Sequence, residues 1–319
     1  MLRYAVRRLW LFVPTIFGVT VLIFGMMRLV PGDIAEILAV EVGQTTFQRE
    51  EVTQKIRRDL GLDRPLAVQY VDWVAKAAVG DFGYSYWEKR PVVEIIGERL
   101  PVSLELAALT ILIATLFAVP LGVISAVKQN TLTDHLVRLI SISGLSVPLF
   151  LTGILILYFL IRLFHYMPPL EFSRLLDNPL ANLQQMIWPA LATAVYISAP
   201  ITRLTRSQML DVIREDYVRT ARSKGLKESV VIYRHALRNA LLPVVTFVGW
   251  WGGRLLGGVV VMEVIFGIPG MGTRLIYSVG YRDYPVVQTI VLLMALIFLI
   301  INLIVDLLYG WLDPRIRYE

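Results

Sequence analysis

Nine cations stand between Arg203 and Arg238 against four acids, and the stretch "RTARSKGLKESVVIYRHALRNALLPVV" (Arg219 to Val245) holds their densest cluster. Such a run can orient a chain in a membrane, attract anionic headgroups, or be gripped by a partner. Catalytic chemistry has little to stand on. None of the six lysines follows a glycine, so the chain carries no G-x-x-x-x-G-K-[ST] phosphate loop of its own. There is no H-E-x-x-H pair, and the chain has no cysteine, which excludes disulfides, thiolate metal sites and thiol nucleophiles. His135, His165 and His235 are too widely separated to suggest a metal site, and Ser141, Ser143 and Ser146 read as helix-packing hydroxyls rather than nucleophiles. A non-catalytic chain without a metal is expected.

Composition says what surrounds these residues. The chain has 319 residues, 56% of them hydrophobic and only 18% charged, with a mean hydropathy of +0.63. That is far above what a water-soluble domain tolerates, so an all-α integral membrane protein is expected. A net charge of +6 raises the question of nucleic acid, but the cations are not gathered on a soluble domain, and no nucleic-acid partner is expected.

Against that lipid background a second set of polar residues stands out. Arg254 lies midway along an apolar stretch, where a cation costs at least about 2.5 kcal/mol on insertion scales. It therefore faces a partner group, such as an acid, or a water-filled path rather than lipid. Glu263 is nine residues on, about 13 Å along an ideal helix, too far for direct pairing. It opens "EVIFGIPGMG" (Glu263 to Gly272), in which Pro269, Gly270 and two further glycines dictate a bend. Irregular backbone at membrane depth is tolerated only where it is buried in protein or lines water, which makes Arg254, Glu263, Pro269 and Gly270 candidates for the mouth of a path. Asn302 and Asp306, four apart on one helix face, are better suited to helix packing than to a functional role.

The elements that must position these residues follow from hydropathy. A span needs roughly 20 apolar residues. Six candidates run approximately Leu9 to Met27, Val102 to Val127, Leu136 to Leu163, Ile187 to Ile201, Leu241 to Met262 and Val286 to Leu312. The organisation is thus a terminal segment and first span (1–30), a long loop (31–101), a membrane core (102–312) that includes the basic loop 203–240, and a tail (313–319). Cations at Arg3, Arg7 and Arg8, at Lys128 and Arg138, in the basic loop, and at Arg315 and Arg317 put both termini on the cytoplasmic side. The long loop, with ten cations (Arg28 included) against twelve acids, faces outward. Thr45 with Gln48 suits a capping box, Val52, Ile56 and Leu60 share one helical face, and Gly61 ends that helix; Pro65 starts another that Gly80 ends. In the basic loop, Met209, Val212, Ile213, Tyr217 and Ala221 recur at helical spacing, Gly225 breaks the run, and Val230, Tyr233, Leu237 and Leu241 begin a second periodic segment. Helix, glycine turn, helix makes a structured elbow.

At these residues the sequence resembles a known family. "DYVRTARSKGLKESVVIYRHALRNALLPVV" is similar to the cytoplasmic loop of ATP-binding-cassette importer permeases of the dipeptide/oligopeptide/nickel branch. The wider motif of such importers is Glu-Ala-Ala, three residues, then Gly; aligned on Gly225, it falls on Arg219, Thr220 and Ala221, and only the alanine and the glycine match. "PLGVISAVKQNTLTD", "IPGMG", "RDYPVVQ" and "NLIVDLLYGWLDPRIRY" resemble further segments. "LGLDRPLAVQYVDWV" and "GDFGYS" resemble the first of the two permease types that pair in such systems. The resemblance covers nearly the whole chain. It implies a six-span type I importer permease in the cell (inner) membrane, whose Tyr217, Arg219, Thr220, Ala221, Lys224, Gly225 and Leu226 form a coupling helix. It also implies four kinds of partner: a second permease of the same fold, two cytoplasmic ATPase domains that bind ATP and Mg, an extracytoplasmic substrate-binding protein, and the lipid bilayer. Peptides are the expected cargo, with nickel, glutathione or oligosaccharides as alternatives. Arg254 departs from the family pattern, so the resemblance does not interpret it. An ion-coupled secondary transporter is the rival of a different class, but it would need more intramembrane acids than Asp306 alone.

Overall fold

A computed structural model describes residues 2–29, 46–59, 61–85, 87–169 and 171–312. It is helical apart from one two-residue-per-strand hairpin. In chain order the elements are α1 (Leu2–Leu29), α2 (Thr46–Asp59), α3 (Leu66–Ala78), β1 (Tyr84–Ser85), β2 (Arg90–Pro91), α4 (Val92–Val127), α5 (Leu132–Ser146), α6 (Leu149–Phe164), α7 (Pro179–Ile213), α8 (Asp216–Ser223), α9 (Glu228–Val230), a π-helical turn (Val231–Ala236), α10 (Leu237–Gly258), α11 (Val260–Ile265), α12 (Met271–Gly280) and α13 (Tyr284–Leu312). The chain divides into two compact units. One comprises residues 1–6, 101–273 and 298–319; the other comprises residues 7–100 and 274–297.

The first unit is built on α7, which packs against α5, α6 and α10. Its 35 residues contain Pro189 and Pro200, so the short fourth candidate span, 187–201, proves to be the middle of a much longer helix. Hydroxyls bond within it: Thr193 Oγ1 donates to Pro189 O at 2.8 Å and Ser198 Oγ to Ala194 O at 2.6 Å. The third candidate span, 136–163, is not one straight helix. It is α5 and α6, which meet at 103°. The cause is Pro148, whose ring disfavours helical backbone at the residue before it; Val147 is accordingly extended, at φ −87 and ψ 124.

The second unit carries the long loop. Helix α2 ends before Gly61 and α3 runs from Pro65 to a turn at Gly80, the two glycines having φ of +65° and +83°. Thr45 and Leu60 lie outside the described residues. Phe24, Tyr70 and Trp73 form an aromatic cluster with ring centroids 5.5–6.4 Å apart, and Thr20 bonds to the Tyr70 hydroxyl at 2.9 Å. These contacts, with the Phe17 ring 6.4 Å from that of Tyr70, join α3 to the face of α1 opposite the exposed Leu22, Met26 and Leu29. An apolar face left outward suits lipid.

By length and composition, three helices among the described residues meet the requirement for a span: Trp10–Leu29, Val92–Val127 and Tyr284–Leu308. The bent pair α5–α6 makes a fourth if the two are one span. Helices α7 and α10 have the length, at 35 and 22 residues, and carry the polar groups that give the first unit its sites.

Candidate functional site

The basic elbow is a short helix with one buried side. In α8, Val218 and Ala221 are buried and pack with Val231 and Val212. Tyr217, Arg219, Thr220, Arg222 and Ser223 face outward, and so do Lys224, Gly225 and Leu226 beyond the helix. Of the seven residues the resemblance singles out, six therefore lie on an open surface, while Ala221 holds that surface onto the fold. The turn is built in steps. Lys224 N donates to Thr220 O at 3.1 Å, Gly225 N to Arg222 O at 2.9 Å, and Gly225 takes a φ of +74°, a left-handed geometry that favours glycine. Arg222 then reaches across to Glu228 at 2.8 Å, and the hydrogen bond from its guanidinium holds the Glu228 carboxyl below the usual carboxylate range. Asn239 Nδ2 donates to the Tyr217 hydroxyl at 2.7 Å. The periodicity from Met209 to Ala221 is interrupted at Arg214 and Glu215, where α7 ends and α8 begins.

Upstream of the elbow, α7 is fastened by a contact that the sequence pattern did not expose. Asp134 is 0% exposed and accepts both Nε and Nη2 of Arg206 at 2.8 Å. It also accepts Ser125 Oγ at 2.6 Å and the backbone N–H of Asn130 at 3.0 Å. A buried carboxylate is retained only when its lone pairs are met in this way. The aspartate closes the turn between α4 and α5 and joins it to α7. Its one sequence signal is its place at the end of "PLGVISAVKQNTLTD".

Glu263, Pro269 and Gly270 come together around one carboxylate. Glu263 is 0% exposed. Its Oε1 accepts Ser103 Oγ at 2.5 Å and its Oε2 accepts Thr273 N at 3.0 Å, while Met271 N donates to Ser103 Oγ at 2.8 Å. The segment 266–270 thereby folds back between α11 and α12, with Ile268 N on Glu263 O at 2.7 Å. This is the expected bend. The acid that opens it holds it shut.

Arg254 stands apart from that cluster, on α10. Its guanidinium carbon lies 5.4 Å and 5.9 Å from the ring centres of Trp250 and Trp251. Among the described residues it forms no ion pair. It lines a cavity of about 390 Å³ with Leu149, Thr193, Tyr196, Ile197, Trp251, Leu255, Gly257 and Gly258. No group of His, Asp or Glu suited to a metal ion occurs among the described residues.

Within the second unit, two quoted motifs far apart in sequence meet. Ser85 of "GDFGYS" donates to Asp283 of "RDYPVVQ" at 2.5 Å. Trp87 Nε1 donates to Tyr281 O at 2.8 Å, and Glu88 forms ion pairs with Arg90 and Arg274.

A basic elbow thus stands beside long apolar helices. The chain belongs to the family of binding-protein-dependent transport system inner membrane components: the model of that family matches residues 118–318, and the model of the family's N-terminal region matches residues 1–107. It is 41% identical to the di/tripeptide transport system permease protein DppB of Pseudomonas aeruginosa (strain UCBPP-PA14) and 40% identical to the glutathione transport system permease protein GsiC of Escherichia coli (strain K12), each alignment covering 100% of both chains. The crystal structure of an amino acid ABC transporter with histidines shares the fold, with a TM-score of 0.52 at 17% identity over 70% of this chain and 94% of that one. The chain is an ABC-importer permease, a multi-pass inner-membrane component.

Proposed function

We propose that this chain is one of two permease subunits of an ATP-driven importer that moves di- or oligopeptides inward, delivered by an extracytoplasmic binding protein. In this reading the elbow and both termini are cytoplasmic and residues 31–101 face outward. Residues Tyr217, Arg219, Thr220, Lys224, Gly225 and Leu226 dock on an ATPase domain, with Ala221 anchoring them. ATP and Mg belong to two such domains. Their closure moves the elbow, and α7, fastened through Asp134 and Arg206, passes the movement into the membrane core. Arg254, Glu263, Pro269 and Gly270 belong to the translocation path, Glu263 by shaping the re-entrant segment.

The observation that carries the proposal is the division of α8, with Val218 and Ala221 buried and a basic face left open. An eight-residue helix so exposed buries too little to exist for its own stability. The relative named for di- and tripeptide transport supports peptide cargo. Glutathione, itself a tripeptide, is the second reading, supported by a relative at 40% identity. The test is uptake of labelled dipeptide, tripeptide and glutathione by cells with and without this chain. Dependence on the chain and on ATP is expected. Uptake that survives ATP depletion but collapses with the proton gradient would overturn the ATP-driven reading in favour of an ion-coupled carrier.

A further inference from the structure

We propose that the cavity at Arg254 is a recognition site for the carboxylate of the cargo, with Arg254 and Trp251 as its specificity-determining residues; this rests on the peptide-permease reading above. The walls supply donors and no negative charge. Arg254 brings a guanidinium, which has five N–H groups and no acceptor. Trp251 brings an indole N–H that is buried and has no acceptor among the described residues. Tyr196 adds a hydroxyl, and its ring meets the Trp251 ring edge-on at 6.1 Å. Thr193 has already given its proton to Pro189 O, at 2.8 Å. None of the nine lining residues is acidic.

Placement matters as much as composition. A cation left at membrane depth without an acid is costly unless something else meets it. The guanidinium carbon lies within cation–π range of two indoles, which attract the charge without neutralising it and offer no lone pair to its N–H groups, so these stay available for a planar bidentate acceptor. The cavity, at about 390 Å³, falls within the range of small-ligand sites. Gly257 and Gly258, a helical turn further along α10, leave that wall without side chains. An anionic, planar, hydrogen-bond-accepting end group of a small solute is what this arrangement receives, and a peptide's free C-terminus is such a group. Donor-lined sites of this kind reject analogues that leave the donors unpaired.

The experiment compares a dipeptide with a free C-terminus against the same dipeptide as its C-terminal amide, in cells carrying the complete transporter. The readout is the ratio of the two initial uptake rates. Because the binding protein is the same throughout, a change in the ratio on mutation belongs to the permease. Arg254→Gln is expected to lower the carboxylate-to-amide ratio at least tenfold, Arg254→Lys to restore part of it, and Trp251→Phe to lower it by a smaller factor. A ratio equal to wild type in Arg254→Gln overturns the site. So does separation of the permease pair in Arg254→Gln but not in Arg254→Lys, which would assign the cation to subunit pairing. If Arg254→Gln does not accumulate, Trp251→Phe decides, since an unchanged ratio there removes the second donor from the proposal and overturns it. Deleting the whole chain without loss of peptide uptake would instead refute the peptide reading, an outcome distinct from retained uptake with an unchanged ratio.

Discussion

The carboxylate of Glu263 occupies the space a side chain at Gly270 would need: a methyl group built at Gly270 would stand 2.3 Å from the Glu263 carboxyl carbon and 2.3 Å from its Oε1. Seven residues apart in sequence, the two are a filled socket and the only residue type that leaves it open. Gly270→Ala is therefore expected to destabilise the purified protein by about 1–3 kcal/mol through overpacking. Glu263→Ala leaves Ser103 Oγ and Thr273 N without their acceptor and is expected to destabilise independently. In the double variant the steric part of the alanine penalty disappears, so the two losses sum to less than their separate values. Thermal unfolding of the three variants measures this. Strict additivity would mean the contact is not what excludes a side chain at 270.

The same logic applies to Asp134 and Arg206, with charge in place of volume. Asp134→Ala removes a buried carboxylate from Arg206 and, at 3.5 Å, from Arg138; both cations are partly exposed, so the cost should fall toward the lower end of about 3–5 kcal/mol. Replacing both with apolar residues of similar size should cost less than Asp134→Ala alone. Because α7 leads directly into α8, a partly stable variant should also show looser coupling, measured as ATP hydrolysed per peptide imported by the reconstituted complex. A double replacement as costly as the single one would sink the pairing argument.

What could be read from sequence was whatever depends on neighbours along the chain. Turn chemistry located Gly61, Pro65, Gly80 and Gly225, because each acts on its own backbone dihedrals. Hydropathy located α1, α4 and α13, because lipid acts on every residue alike. It misjudged 136–163, where an uninterrupted apolar run concealed a corner at Pro148; the Val147-Pro148 pair was visible, but apolarity alone does not say that a run is straight. It also shortened α7, because polar residues such as Gln184, Gln185, Arg203 and Arg206 flank the apolar stretch and hydropathy does not follow a helix into them. Asp134 with Arg206 lies 72 residues apart and Ser85 with Asp283 lies 198 apart. No periodicity spans such distances, so these contacts are products of the fold. Glu263 and Arg254 stood out as charges among apolar residues, yet nothing in the sequence said that one would meet Ser103 and the other would lie beside two indoles.

Gly225 separates backbone from packing. Nothing lies within 4 Å of a methyl group built there, while φ is +74°. A substitution thus meets no clash and pays only for the left-handed backbone, roughly 1–2 kcal/mol for most residues. Gly225→Val should reorient the turn and reduce uptake per ATP hydrolysed, with membrane insertion unaffected. Gly225→Asn, which tolerates this geometry better, should retain most of the coupling. Equal transport by wild type and Gly225→Val would remove the elbow from the coupling mechanism.

The Arg222–Glu228 pair gives that turn a pH dependence of known sign. The Glu228 pKa in the folded chain is below its unfolded value, because the Arg222 hydrogen bond favours the ionised form. Its contribution is therefore complete above the unfolded carboxyl pKa, about 4.3, and is lost as pH falls through the lower folded value. The pair is largely exposed, with side chains 38% and 59% accessible, so the contribution is small and screened by salt. Wild type should melt slightly above Glu228→Gln at pH 7 in low salt, and the difference should shrink as the pH is lowered toward 4 and below. A gap that widens on acidification would reverse the assignment.

Topology is the prediction on which the others depend for their biological meaning. The chain has no cysteine, so single cysteines report position without background. Under the proposed orientation, Gln44→Cys and Ser173→Cys react with an impermeant thiol reagent added outside intact cells. Ser223→Cys, on the exposed end of α8, reacts only after the membrane is opened. Docking of an ATPase should then protect Ser223→Cys in inverted vesicles, and Gly225→Val should remove that protection if the turn sets the docking geometry. Labelling of Ser223→Cys from outside would place the basic elbow where no cytoplasmic ATPase can reach it, and would leave the buried Val218 and Ala221 as the support of a surface with some other partner.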